Sequence, residues 1–404
     1  MNQAHPSSFI PSANAGQALH PSSFKALPPL SLYVHIPWCV KKCPYCDFNS
    51  HTVRGELPEE DYIEALISDL EQALPKIWGR KVHTVFFGGG TPSLFSASAV
   101  DRLISAVRAR VPLAADAEVT LEANPGTFET DKFAGFRAAG VNRLSIGVQS
   151  FNLRHLKALG RIHDADEARR AIANAREHFD NVNLDLMYGL PEQSLAEAIS
   201  DIKTAIGFAP QHISAYHLTL EPNTLFHHRP PPLPDDDLAA EMQAMIENEL
   251  GNNGYSHYET SAFAKPGAQC RHNLNYWSFG DYLGIGAGAH SKLSFPERVV
   301  REMRWKQPRD YLSHVAAGTP VQEAREVAAR ERPFEFIMNS SRLNGGFAAS
   351  LFEERTALPL IVIQRELGVA EDKGLLARDH RWIAPTSLGR RFLNDLIQIF
   401  LPAD

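Results

Sequence analysis

Three cysteines crowd into one short segment near the start of the chain, Cys39-Val-Lys-Lys-Cys43-Pro-Tyr-Cys46. On one tight loop, three thiolates can each hold one iron of a cubane cluster, which leaves the fourth iron without a protein ligand. An iron of that kind is free to bind a small chelating molecule. The alternatives are a structural zinc site, whose fourth ligand would be Cys270 or a distant histidine, and inert thiols.

The elements that would position this loop follow a regular alternation. Apolar, strand-like runs cover residues 32–36, 84–87, 118–121, 143–148, 183–187 and 212–218, and amphipathic helical patterns such as 59–74 and 98–111 lie between them. This alternation predicts an α/β fold with a parallel sheet. Six βα units curved into a partial barrel, a (β/α)6 arrangement, fit best because the pattern stops near Pro222.

Residues suited to chemistry follow the ends of these predicted strands. They are Cys39, the segment 88–92, the segment 122–125, Gln149 and Asp185. The carboxyl ends of the strands carry the site in parallel barrels, so we expect these residues to surround one mouth.

The segment Tyr33-Val-His-Ile-Pro-Trp-Cys39, with the two cysteines that follow it, resembles the radical S-adenosylmethionine (SAM) superfamily. Within it, the resemblance is to the branch of oxygen-independent coproporphyrinogen III dehydrogenases and HemW-type haem chaperones, and it extends from about Leu32 to the C-terminus. It implies a 4Fe–4S cluster held by Cys39, Cys43 and Cys46, with SAM bound at the open iron. An electron from the cluster would break the sulfonium bond and release a 5′-deoxyadenosyl radical.

The same resemblance implies a set of SAM-binding residues. Gly88-Gly-Gly-Thr-Pro92 corresponds to the motif that binds the SAM amino group, and a carboxylate such as Glu122 can accept hydrogen bonds from ribose hydroxyls. A tight turn and a solvated charge are the structural alternatives for these two features. The implied set, part of which would contact a second SAM, is Tyr33, Tyr45, Gly89, Gly90, Thr91, Glu122, Gln149, Arg161 and Asp185.

Two features separate the branches of this family. The dehydrogenases usually carry a further cysteine shortly after the third, where this chain has Asp47-Phe-Asn49, and they have more sequence before the cluster. The segments His272-Asn-Leu-Asn-Tyr-Trp277 and 279–290 resemble HemW. The chain is therefore predicted to bind haem and pass it to an apo-haemoprotein, such as a respiratory membrane enzyme. The alternative is the dehydrogenase, an enzyme that decarboxylates porphyrinogen propionates.

Haem needs an apolar slot and usually a histidine, cysteine, methionine or tyrosine as axial ligand. His272 and His290 are the candidate haem ligands, and a hydrogen-bonded structural histidine is the alternative for each. The sequence leaves open whether SAM is cleaved in function and whether the protein forms a homodimer.

The chain divides into four predicted segments. Residues 1–30, in which His5-Pro-Ser-Ser-Phe9 is repeated at 20–24, are expected to be a disordered extension, and residues 31–229 form the partial barrel. Residues 230–330 are a proline-rich linker and a family-specific segment that completes the core. Residues 331–404 are expected to form a mostly helical, winged-helix-like domain.

Charge and hydropathy exclude several partners and locations. The net charge is −7 and the acidic and basic residues of the C-terminal segment balance, whereas a DNA-binding face should be clearly basic, so no nucleic-acid partner is expected. No apolar run approaches a membrane span and no signal peptide is visible, which predicts a cytoplasmic protein.

Overall fold

The computed structural model describes residues 23–126 and 131–402. Its strands, numbered in chain order, are β1 (Leu30–Ile36), β2 (Trp38–Cys39), β3 (His51–Thr52), β4 (Val82–Gly89), β5 (Leu113–Ala123), β6 (Arg143–Gln149), β7 (Val182–Tyr188), β8 (His212–His217), β9 (Ser256–Glu259), β10 (Ala262–Ala264), β11 (Asp281–Ile285), β12 (His290–Ser294), β13 (Val299–Arg304), β14 (Val321–Glu326), β15 (Phe347–Ala348), β16 (Leu376–Arg378) and β17 (Trp382–Pro385).

The helices of the same residues alternate with the first strands and then dominate the C-terminal part. They are α1 (Glu59–Ala73), α2 (Ala97–Arg110), α3 (Phe133–Ala139), α4 (Leu153–Ala158), α5 (Ala165–His178), α6 (Leu195–Gly207), α7 (Leu225–His228), α8 (Asp236–Asn252), α9 (Arg271–Trp277), α10 (Pro308–Ala316), α11 (Arg332–Ser340), α12 (Ala349–Thr356), α13 (Gln364–Asp372), α14 (Ser387–Arg391) and α15 (Leu393–Gln398). None of the helices within the described ranges is long and apolar enough to cross a membrane.

The six predicted strands are present and lie side by side in parallel, in the order β1-β4-β5-β6-β7-β8. This confirms the α/β radical SAM type of fold. The sheet does not end with these strands, because β11 pairs in parallel with β1 and leads to antiparallel β12, β13 and β14. At the other edge, β10 and β9 add to β8. The sequence pattern missed β9–β14 because most are short, and β14 is polar and largely exposed.

Side chains of the central strands divide by face, since successive residues of a strand point to opposite sides of the sheet. Val119 and Leu121 of β5 point outward into the main apolar core, where helices such as α1 and α2 cover the sheet. Glu118, Thr120 and Glu122 of the same strand point to the concave inner side. The helices fix this arrangement through their own sequence signals, such as the capping boxes that begin α5 and α6.

The expected disordered extension of residues 1–30 lies mainly outside the described residues, but its end does not fit that expectation. Phe24 is buried with Val299 and Val327, and its N–H donates to the carbonyl of Pro296 at 2.8 Å. The Arg80 guanidinium also donates to the carbonyl of Pro28. The end of this segment is therefore attached to the folded part of the chain through Phe24 and Pro28, while residues 25–27 between them are exposed.

The C-terminal part has a second apolar core, formed by helices α11–α15 and a small antiparallel sheet in the order β15-β17-β16. Phe392, which has non-helical backbone angles, separates α14 from α15. A 3₁₀ turn, Leu360–Ile363, precedes α13.

Candidate functional site

The cysteine loop follows β1 and is fastened to the rest of the molecule. Strand β2 pairs with β3 across its base. Lys42 Nζ donates to the carbonyl oxygens of Phe48 and Ser50 at 3.0 and 3.2 Å. The ring of Trp38 packs edge-on against Tyr62, with 4.7 Å between ring centroids. The loop is thus closed by backbone pairing and anchored by an aromatic contact, and its cysteines are free thiols.

Cys39, Cys43 and Cys46 line one cavity of about 280 Å³ at the carboxyl ends of the parallel strands. Burial raises the pKa of the Cys39 and Cys46 thiols, so bound iron is what would stabilise them as thiolates. Across residues 23–126 and 131–402, no three Cys, His, Asp or Glu side chains form a site for a single metal ion. Thiolates that each bind a different iron of a cubane need not converge on one point, as the ligands of a single zinc ion must.

The turn after β4 lies directly on the cysteine loop. The N–H groups of Gly90 and Thr91 donate to the carbonyls of Ile36 and Trp38, both at 2.7 Å. A Cβ on Gly90 would come within 2.5 Å of the Trp38 carbonyl oxygen, so only glycine fits this approach. Gly89 adopts a φ of 112°, which also favours glycine. The backbone of this turn thereby forms one wall of the cavity.

Two carboxylates of the predicted set face the cavity from neighbouring parts of the sheet. Burial, with the nearby Asp185 carboxylate as the second cause, raises the pKa of Glu122 to about 8. Asp185 accepts hydrogen bonds from Ser145 Oγ at 2.9 Å and from Asn183 Nδ2 at 2.8 Å. Burial raises the pKa of Asp185, and these hydrogen bonds oppose the rise. The two carboxylates can accept hydrogen bonds from the hydroxyl or ammonium groups of a ligand.

Arg161 connects the cysteine loop with the strand ends. Its Nη2 donates to Asn124 Oδ1 at 2.6 Å and to the carbonyl of Gly147 at 2.7 Å, and its Nη1 lies 3.9 Å from Cys43 Sγ. Gln149, at the end of β6, has a φ of 68°, an uncommon conformation for a residue other than glycine. Gln149 and Tyr45 both line the cavity. The structure therefore brings every predicted SAM residue except Tyr33 to this one cavity.

The sequence reasoning missed several residues of the same cavity. They include Lys41, Asn124, Ser145, Met187 and Tyr216. A signal existed for two of them, since Asn124 follows Glu122 by two residues and Ser145 precedes Gln149 by four, and alternate positions of a strand share one face.

A second cavity of about 320 Å³ adjoins the first, and Glu122, Gly89 and Phe48 line both. Its other walls come from Tyr33, His35, Asn49, Tyr276, Tyr282, Gly288 and His290. We call it the aromatic cavity, and the one with the thiols the cluster cavity. Tyr33 OH lies 2.9 Å from His35 Nδ1, which fixes both rings in the wall.

The two histidines predicted as haem ligands have different environments. His290 is exposed and lines the aromatic cavity. His272 is buried behind the wall, with Nδ1 at 2.8 Å from Thr84 Oγ1 and its ring 5.0 Å from that of Tyr276. Burial lowers the pKa of His272 to about 3, so the ring is neutral. Its Nε2 is buried without a hydrogen-bond partner among the described residues.

A partial barrel with three thiols on the loop after its first strand defines a radical SAM protein, and the model of the radical SAM superfamily matches residues 33–205. Proteins of this class bind a 4Fe–4S cluster and SAM, and the cluster supplies the electron that cleaves the sulfonium. The chain belongs, within that class, to the HemW family. It is 51% identical to the heme chaperone HemW of Escherichia coli, over 93% of this chain and 99% of that protein.

Further comparisons agree with this assignment. The heme chaperone HemW of Haemophilus influenzae is 47% identical, over 93% of this chain and 98% of that protein. Among solved structures, coproporphyrinogen III oxidase (HemN) of Escherichia coli matches with a TM-score of 0.79 at 25% identity, over 93% of this chain and 90% of that one. The fold is therefore shared with HemN, while the sequence is much more similar to HemW.

Proposed function

We propose that the protein is a haem chaperone, which binds haem beside a 4Fe–4S cluster and SAM and transfers it to apo-haemoproteins. The observation that carries this proposal is the 51% identity to a heme chaperone over nearly the full length of both chains. The aromatic cavity supports it, since haem requires an apolar slot and this one is walled by three tyrosines and a phenylalanine.

In this proposal, Cys39, Cys43 and Cys46 each hold one iron of the cluster. The backbone around Gly89, Gly90 and Thr91 receives the amino group of SAM. The acceptor groups of Glu122, Gln149 and Asp185 and the donors of Arg161 and Tyr45 surround the rest of the ligand. Tyr33 lines the aromatic cavity and is proposed to close the SAM site on the side that faces haem.

Haem is proposed to occupy the aromatic cavity with its iron bound by a histidine. His290 is available at the rim without rearrangement. His272 has the unpaired Nε2 that an iron ligand needs, but Tyr276 would first have to move aside. Both histidines are therefore proposed as candidate haem ligands.

The proposal also covers the cellular compartment of the protein and its partners. Free, closely spaced thiols suit a reducing compartment, so the protein is proposed to act in the cytoplasm. The recipient is proposed to be an apo-haemoprotein such as a respiratory membrane enzyme. A homodimer in solution is also proposed, which size-exclusion chromatography with light scattering tests. No nucleic acid is proposed as a partner.

Haemin titration is the direct test of the proposal. We expect a saturable shift of the haem Soret band on addition of haemin to the protein, followed by transfer of the haem to an apo-haemoprotein in a separate vessel. Absence of a saturable shift of the Soret band would contradict the proposal that the protein is a haem chaperone.

The second candidate function is oxygen-independent coproporphyrinogen III dehydrogenase, which the likeness to HemN favours. Against it, Asp47, Phe48 and Asn49 stand where these enzymes usually carry a further cysteine. Anaerobic incubation of the reconstituted protein with coproporphyrinogen III, SAM and a reductant separates the two. We expect no protoporphyrinogen, and its formation would establish the dehydrogenase instead.

A further inference from the structure

A continuous chain of hydrogen bonds crosses the inner side of the barrel, from the cluster cavity to the start of α9. Asn183 Nδ2 donates to Asp185 Oδ1 at 2.8 Å, and Asn183 Oδ1 lies 2.6 Å from His212 Nδ1. His212 Nε2 lies 2.8 Å from the Tyr258 hydroxyl. That hydroxyl oxygen also accepts the backbone N–H of Cys270 at 3.2 Å. Asp185 is thus tied to the residue that precedes α9.

The direction of each bond follows from the two ends of the chain. The Cys270 N–H can only donate, so the Tyr258 oxygen accepts it, and the Tyr258 hydrogen remains available to His212 Nε2. At the other end, an amide oxygen facing the Asp185 carboxylate would be repelled, so Asn183 must present Nδ2 to Asp185 and Oδ1 to His212. The Asn183 end therefore assigns to His212 the neutral tautomer with its proton on Nδ1, and the Tyr258 end agrees with that assignment.

The surroundings of these hydrogen bonds keep His212 neutral and Asn183 in one orientation. His212 and Asn183 are 1% and 2% exposed, so water cannot replace a lost partner. Burial, with Arg143 as the second cause, lowers the pKa of His212 well below its ordinary value, which keeps the ring neutral. Ser214 Oγ also donates to Asn183 Oδ1 at 3.1 Å. The Asn183 amide therefore has one orientation, in which both lone-pair sites of its oxygen are used.

We propose that His212 and Tyr258 are positioning residues that orient Asn183 and so hold the Asp185 carboxylate toward the ligand of the cluster cavity. The inference rests on the proposed function in one respect, that this ligand is SAM. The hydrogen bonds that orient Asn183 start at the backbone N–H of Cys270, which immediately precedes the helix that carries His272. A displacement of α9 would therefore reach the SAM pocket through this chain, without any contact between SAM and α9.

The test compares two tyrosines of the same region, the half-buried Tyr258 and the buried Tyr255, in the full-length, anaerobically reconstituted protein. Tyr258→Phe removes the hydroxyl that joins His212 to α9. Tyr255→Phe is the matched control, since it removes a hydroxyl that donates to the carbonyl of Pro210 at 2.7 Å, outside the chain. We expect Tyr258→Phe to weaken SAM binding about tenfold, the usual effect of removing a residue that orients a ligand-binding group. Tyr255→Phe should bind SAM as the wild type does.

A double-substitution cycle distinguishes positioning from a general loss of structure. In an Asp185→Asn background, Tyr258→Phe should change SAM affinity less than about twofold, because the group that it positions no longer carries the charge. An equal effect of Tyr258→Phe in both backgrounds would overturn the inference, as would a Tyr258→Phe variant that binds SAM like Tyr255→Phe.

The tautomer of His212 gives a spectroscopic readout that needs no SAM. We expect imidazole nitrogen NMR to show a protonated Nδ1 and an unprotonated Nε2 in the wild type, assigned by their loss in His212→Gln. A protonated Nε2 would overturn the inference. If the wild-type protein failed to bind SAM, the SAM site itself would be wrong, and this spectrum would still test the chain of hydrogen bonds.

Discussion

The cluster cavity and the aromatic cavity share a wall but are built in different ways. The thiols and the glycine turn of the cluster cavity come from two short continuous segments, which the backbone hydrogen bonds of Gly90 and Thr91 join directly. The aromatic cavity combines Tyr33 with Tyr276, Tyr282 and His290, which follow the first barrel strand by more than half of the chain. Local sequence therefore dictates the thiols and the glycine turn of the first cavity, while tertiary packing creates the second.

The two cavities also differ in the kind of ligand that their side chains can bind. The cluster cavity contains thiols, carboxylates and a guanidinium close together, a setting for charged and metal-bound ligands. Four aromatic rings and two histidines dominate the aromatic cavity, which suits a flat, largely apolar ligand. Of the described residues that line both cavities, Phe48, Gly89 and Glu122, only Glu122 has a titratable side chain. Four experiments test this separation.

The largest effect is expected for Cys43→Ser, which removes one of the three cluster ligands. Iron content and visible absorbance after anaerobic reconstitution should fall to the level of unreconstituted protein, because a hydroxyl is a poor ligand for this cluster. Haemin binding should persist if the two cavities are independent. Cys270→Ser is the control, as Cys270 is buried far along the chain beside Glu118 and should leave the cluster intact. Loss of the cluster in both variants would contradict the assignment.

Gly90→Ala tests the backbone contact between the glycine turn and the cysteine loop. Since the new Cβ would stand 2.5 Å from the Trp38 carbonyl oxygen, the turn must shift. We expect a loss of about 1–3 kcal/mol in the free energy of unfolding, together with weaker SAM binding. Gly207→Ala, at a helix end where a Cβ meets nothing within 4 Å, should change stability by less than about 1 kcal/mol. Denaturant unfolding and SAM titration measure both.

The same contrast explains how much could be predicted from the sequence. Each of the six barrel strands is marked by an apolar run. Cys39 follows β1, while Gly89, Glu122 and Asp185 lie within β4, β5 and β7 of the same parallel sheet, and all four line the cluster cavity. Strand β11, which pairs with β1 and holds Tyr282, gave no such signal because it is short and contains glycine. Its place in the sheet depends on long-range pairing, which a local pattern does not encode.

Burial was the second property that the sequence could not supply. His272 and His290 were equivalent candidates as sequence, and only packing places one behind the aromatic wall and the other at its rim. The end of the N-terminal extension shows the same effect, since Phe24 is part of a low-complexity repeat and yet packs on the sheet edge.

Single substitutions of these histidines test whether the aromatic cavity holds haem. We expect His272→Ala or His290→Ala to weaken haemin binding about tenfold and to change the Soret band, because an axial ligand is lost. His380→Ala, an exposed histidine in the C-terminal unit, is the control and should behave as the wild type. Unchanged spectra in both cavity variants would reject both ligand assignments and move haem away from this cavity.

The smallest effect is expected for Glu122→Gln, read out as the pH dependence of stability. The pKa of Glu122 rises from 4.5 to about 8 on folding, so the folded protein binds more protons than the unfolded chain between these values. Stability from this group is present below about pH 4.5 and is lost as the pH rises toward 8. The free energy of unfolding of the wild type should therefore fall more steeply across this range than that of Glu122→Gln. Equal slopes would show that Glu122 is not buried between the two cavities. Because ionised Glu122 is the better acceptor for a ribose hydroxyl, SAM affinity of the wild type should increase over the same range in which its stability decreases.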